Sequence, residues 1–228
     1  MANQSGNVYG LTVLSPILPG VTKDTSHNCA LREHLAGLPN NESSPFARVS
    51  STHMARLVVM DDVVFVGHPA HEEHLKSQYL VFETNFDGDL DTYLRRLATE
   101  VPDEVDAVWQ HCWGYTDVRK NPDAFVTYIK KCQLTTTFYF ADVNNHTVQE
   151  TLRALQTQAA VAKFIEDNQG VPAAELQKNF AEFMARLRNA PAPIPGHAEK
   201  GGPPRIHTEM HWAARCEKPD QAKAVGAK

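Results

Sequence analysis

No stretch of this 228-residue chain approaches the roughly 20 consecutive apolar residues that a membrane-spanning helix needs. Charge of one sign is also missing. Twenty-two basic and 27 acidic residues leave a net charge of −5 without long blocks, which argues against a nucleic-acid binder. Cysteine is sparse: Cys29, Cys112, Cys132 and Cys216 stand far apart and make no C-x-x-C pair, so a zinc ribbon or thioredoxin-like site is unsupported. The default for such a chain is four reduced thiols, most of them packing as small apolar groups. Residues 1–7 are polar, with neither the basic start nor the apolar stretch of a signal peptide. There is no G-x-x-x-x-G-K-[ST], no G-x-G-x-x-G after a strand and no G-x-S-x-G, which leaves nucleotide-dependent and esterase chemistry without a signature. These absences predict a cytoplasmic protein with no membrane span and no nucleic-acid partner.

What is present is an ordinary globular composition, 42% hydrophobic and 21% charged, enough for a core of useful size. Residues 8–17 (VYGLTVLSPI) read as a first strand, broken by Pro16, Pro19 and Gly20. A helix is expected over 23–38, a second strand region over 51–66, a loop over 67–77 and a third strand over 79–86 (YLVFETNF). Asp89 is the expected N-cap of the next helix, whose apolar face is Leu90, Tyr93, Leu94, Leu97 and Val101. The run 105–115 (VDAVWQHCWGY) is open between strand and loop; Pro122 starts a helix, and 135–142 (TTTFYFAD) reads as the fourth strand. Two helices follow, 147–168 with a stripe of Leu152, Leu155, Ala159, Ala162 and Ile165, and 173–188. Residues 189–228 are rich in proline and glycine and read as a mobile or partner-dependent tail, leaving 1–188 as the folded domain.

The order β-α-β followed by β-α-β predicts an α+β fold, a ferredoxin-like antiparallel sheet with helices on one face. Its other face must be buried by a partner sheet, by the C-terminal helices or around a ligand. A homodimer or an enclosed pocket is therefore expected.

Several residues could carry chemistry. In THMAR, strand geometry points Thr52, Met54 and Arg56 one way and His53, Ala55 and Leu57 the other. His53 is a candidate base or ligand, and Arg56 could hold a carboxylate with both arms of its fork. In 109–115, strand geometry would put Trp109, His111 and Trp113 on one side, with Tyr115 adjoining, as the wall of a flat-ligand pocket. Asn85, Asp87, Asp89 and Asp91 form an acidic turn that capping explains better than a cation, and Asn85 and Asp87 are candidates to line the pocket. His68, His71 and His74 in the expected loop, and His207 and His211 in the expected tail, fit no closed metal site.

Two segments together, 44–62 (SPFARVSSTHMARLVVMDD) and 77–94 (SQYLVFETNFDGDLDTYL), resemble bacterial proteins of the dimeric α+β-barrel type. These are sometimes described as peroxidase-related and found near or joined to haem enzymes. The likeness spans residues 8–168. Phe86-Asp87-Gly88 is similar to the end of the G-x-x-D-G motif of dye-decolourising peroxidases, without its first glycine. The resemblance implies an oxidoreductase acting on a small apolar or aromatic molecule, haem-dependent or cofactor-free. With haem, His111 or His53 would be the iron ligand and Arg56 would hold a propionate. The alternative is a barrel that binds a hydrophobic ligand, or a haem enzyme, without turnover.

Overall fold

The computed structural model describes residues 3–64, 66–68, 71 and 73–196. It is α+β, built on a five-stranded antiparallel sheet. The two central strands are β2 (Val8–Pro16) and β4 (Tyr79–Asp87), paired from Val8↔Asp87 to Pro16↔Tyr79. β3 (Thr52–Met60) takes the far edge of β4, while β1 (Gln4–Ser5) and β5 (Gln133–Leu134) share the remaining edge of β2.

Alternation along these strands separates two faces. Leu11, Val13, Leu80, Phe82 and Phe86 point to one side and are buried. That side is covered by α1 (His27–Gly37), α3 (Leu90–Glu100), α4 (Pro102–Trp109) and α5 (Pro122–Cys132), whose Leu31, Tyr93, Leu97, Val105, Phe125 and Ile129 complete a single core. Burying each large side chain of this kind is worth about 1.5–3 kcal/mol. The Trp109 ring meets Phe82 and Phe125 edge-on, each at 5.3 Å between centroids. Asp89 caps α3 as its sequence suggests, accepting from the Thr92 amide at 2.9 Å. Hydrogen bonding from Thr92, its side chain first and then its amide, holds the carboxyl below the usual range. The opposite face, carrying Leu14, Val81, Met60 and the Arg56–Glu83 ion pair, meets no helix layer among the described residues. Met54 is 50% and Val58 44% exposed there.

The structure departs from the sequence reading in several places, each with a local cause. Residues 135–142 are not a strand; only Gln133–Leu134 pairs with β2. β1 occupies the edge beyond, where Gly10 N donates to Asn3 O. The Asn3 side chain then donates to Gly10 O and accepts from Thr136 N, standing in for a strand. Tyr139 lies over Gly10 instead, so close that a Cβ there would come within 2.5 Å of its ring. The run 105–115 is also not a strand. Pro102 at the first helical position and Asp103 and Glu104 in the first turn start α4, and Val105, Val108 and Trp109 are at helical spacing. β3 ends at Met60, because Arg32 and Asn28 of α1 seize Asp61 (2.6 and 2.7 Å). Cys29 is disulfide-bonded rather than reduced, while Cys112 and Cys132 are free; Cys216 lies outside the described residues.

The last two helices, α6 (Val148–Asp167) and α7 (Ala173–Arg188), form a hairpin closed by the ring contact of Phe164 with Phe183, 4.7 Å. The stripe expected to bury α6 faces outward for most of its length: Leu155 is 56% and Ile165 54% exposed. Of the expected tail, residues 197–228 lie outside the described residues, and residues 189–196 lie against the rest of the chain. Arg153 donates to Ala190 O and Pro191 O, and Gly196 sits against the Asn41 backbone.

Where β3 meets β4, one extra residue interrupts the ladder between Thr52 and Met54. Thr52 therefore faces the core, with Ala55 and Leu57, and does not share a face with Met54 and Arg56. The Tyr93 hydroxyl lies 3.2 Å from Thr52 Oγ1 and 3.0 Å from Thr84 Oγ1, while those hydroxyls donate to Val49 O and Met54 O. Burial raises the Tyr93 pKa, so the hydroxyl keeps its proton. Tyr93→Phe should cost about 1–2 kcal/mol in urea unfolding, because a hydrogen-bonded hydroxyl is lost while both threonines keep a carbonyl partner. An unchanged denaturation midpoint would remove the network from the account of the bulge.

Candidate functional site

The extra residue in β3 is His53. A bulge re-aims a side chain out of the alternation of its strand, and here the imidazole reaches the end of the neighbouring strand, β4. His53 Nε2 meets Asp87 Oδ1 at 2.7 Å. A carboxylate oxygen only accepts, so in the neutral ring the proton sits on Nε2 and Nδ1 is left as the acceptor. The second oxygen of Asp87 accepts from the Val148 amide, 2.9 Å, at the start of α6. His53 borders an open cleft of about 380 Å³ walled on one side by Leu35, Leu38, Phe46 and Leu57, with Asn40, Asn41, Ser44 and Thr52 as polar lining. A cleft of mixed lining with one oriented imidazole has room for a small molecule.

The other sequence candidates distribute differently. Arg56 is already neutralised by Glu83 across the ladder, through Nε at 2.8 Å and Nη2, and lies on the open sheet face rather than in the cleft. Asn85 shares that face and accepts from the Tyr139 hydroxyl, 3.1 Å. Trp109, His111, Trp113 and Tyr115 lie at the opposite end of the sheet, where Leu18 N donates to His111 O and Trp113 N to Pro16 O. The length of β4 separates the two groups, roughly 26 Å at 3.3 Å per residue. They cannot line one pocket. Trp109 is spent in the core, Trp113 is 55% exposed, and Tyr115 donates to Asp106, its hydroxyl pushed up to about 12 by burial.

His111 is buried against a residue that the sequence reading passed over. Its Nδ1 stands 3.1 Å from Nδ1 of His27, on α1, and His34 of the same helix has a buried Nε2 with no partner. His27, Leu31 and His34 follow the i, i+4, i+7 spacing of one helix face, which is the signal that could have grouped them. Two imidazoles sharing a hydrogen bond cannot both be protonated. Burial first, then His27 and His34, lowers the His111 pKa. No cluster of three or more metal-ligating side chains occurs among the described residues. His74, in the loop, contacts Asp62, whose carboxyl the Leu75 amide and His74 pull to about 2. His207 and His211 lie outside the described residues.

The fit to haem fails at the His111 end, where the imidazole is packed on His27 and the expected aromatic walls are core or solvent-facing. At His53 the carboxylate-backed ring is the form that metal-ligating histidines take. The cleft there is near the small end of ligand pockets, however, smaller than a haem macrocycle with its propionates would fill. Among the described residues, no helix is long and apolar enough to cross a membrane. No family model, curated protein or solved structure matches the chain.

The depressed His111 pKa fixes a sign for acid stability. Its folded value lies below the unfolded value of 6.5, so protonation favours the unfolded chain. Unfolding free energy should fall as pH drops below about 6.5 and level off beneath the folded pKa. His111→Gln should flatten that slope in urea titrations between pH 7 and 5. Equal slopes in both proteins would show that His111 is not the group responsible.

Proposed function

We propose that this chain is a ferredoxin-like α+β barrel protein, homodimeric through its open sheet face, that acts on a small apolar or aromatic molecule with His53 as general base. The observation that carries the reading is the His53–Asp87 contact at 2.7 Å beside a cleft with one apolar wall. Asp87 fixes the ring by its Nε2–H and leaves Nδ1 to take a proton from a bound O–H or activated C–H group. The apolar side of the cleft, Leu35, Leu38, Phe46 and Leu57, takes the ring of the molecule. Oxidoreductase chemistry of the peroxidase-related sort rests on the sequence resemblance, and the cleft favours its cofactor-free form over the haem-dependent one.

The strand order β5-β2-β4-β3, with helices on one face, supports the ferredoxin-like reading. The exposed Met54 and Val58, with Val81 and Leu14 beside them, support a second sheet on the other face. A second reading, a non-turnover binding module or partner of a haem enzyme, is favoured by the outward apolar stripe of α6.

Oxygen uptake with 1,4-naphthohydroquinone, read beside a visible spectrum after haemin addition, separates these readings. Turnover by a colourless protein, falling about 10²-fold in His53→Ala, is the expected result. A Soret band that survives gel filtration and vanishes in His53→Ala would restore the haem reading, and neither signal would favour the binding module. Val58→Glu should convert the dimer to monomer in light scattering; a wild type already monomeric at tens of micromolar would end the barrel proposal.

A further inference from the structure

Both roots of the α6–α7 hairpin end on the His53 site. The first root, Thr147–Val148, places the Val148 amide on Asp87 Oδ2 at 2.9 Å, and Val148 itself is 8% exposed. It is stitched in place by Asn7 N donating to Asn144 O, 2.8 Å, and by the Asn144 side chain on Ser5 Oγ, 3.0 Å. The returning root brings Pro195 and Gly196 onto the wall of the same cleft, with Gly196 closely packed against Asn41. Between the roots the hairpin buries little. Of its two helices only Val148 and Phe183 are buried side chains.

Resting on the reading of His53 as the base, we infer that the seating of the α6–α7 hairpin positions that base, with Asp87 as the positioning residue. One carboxylate is shared: Oδ1 holds the imidazole and Oδ2 holds the first amide of α6. Both contacts are charge-assisted hydrogen bonds to an anion, and such bonds fix direction as well as energy. The first turn of a helix also offers an unpaired amide and a positive dipole end to a carboxylate. Withdrawal of α6 therefore frees the carboxylate to rotate and takes the Nε2 proton of His53 out of its fixed direction. The hairpin is thus the element through which any event on its exposed stripe reaches the cleft.

The Val148 amide can be removed without breaking the helix. Val148 is the first helical residue, where proline is favoured, and Thr147 is extended at φ −72, ψ 162, as a residue before proline must be. With ¹⁵N-histidine labelling of the full chain, the wild type should show His53 as the Nε2–H tautomer with a protected N–H. Val148→Pro should speed exchange of that proton about tenfold or mix the tautomers, with far-UV helix content unchanged. Val148→Ala, which keeps the amide, should resemble the wild type, and Asp87→Asn should lose the protected signal. An unchanged His53 signal in Val148→Pro, beside its loss in Asp87→Asn, would overturn the inference; so would equal loss in Val148→Ala, which would assign the effect to packing. Neither readout needs turnover, so a failure of the base reading in the oxygen assay stays distinct from a failure here.

Discussion

The hydroxyl of Tyr93, held between Thr52 and Thr84 under the stacked ring of Phe86, pins the one irregularity on which the site depends. Without the extra residue in β3, His53 would fall into the alternation of its strand, on the core face or the open one. With it, Thr52 stays inside while the next side chain reaches Asp87 at the end of β4. The cost of the broken ladder is met by three hydroxyls and two backbone carbonyls, Val49 O and Met54 O. α3 is fixed in turn by Leu90, Leu94 and Leu97 in the core, so the position of His53 is tied to the core.

The two ends of the sheet serve different purposes. The end at Asp87 gathers an imidazole, a carboxylate, a helix start and a cleft. The end at Pro16 gathers two imidazoles in mutual contact, a buried indole and a thiol, Cys112, that burial pushes up to about 12. A thiol so protonated is a poor nucleophile. The second group is better understood as a polar seam between α1 and the turn after α4.

Much of the fold was legible in the residues. The alternation in 79–86, the stripe of α3 and the Asp89 cap are where local chemistry and tertiary packing agree, and they came out as read. Residues 135–142 misled because β-branched and aromatic content marks a residue that fits a pleated surface, not one that has an edge to join. A two-residue hairpin partner, β1, had already taken that edge, and nothing in 135–142 reports it. The run 105–115 misled because its aromatics suggest a strand, while the helix start signals at Pro102–Glu104 lie just upstream. The site was half visible. His53 and Asp87 were both singled out, but on separate grounds, since a bulge leaves no mark in a sequence that still alternates. The partner amide at Val148 is 61 residues from Asp87 and carries no side-chain signature at all.

The single-residue surplus at position 53 is separable from the rest of the sheet. Deleting one residue there would restore uninterrupted pairing along β3 and leave Met54, Arg56, Ala55 and Leu57 on their present sides. The sheet would survive, and with it the core, the hairpin and the face open to a second sheet, while the imidazole at the cleft would be gone. The architecture and the placement of the imidazole are thus separable by one short deletion between Val49 and Met54.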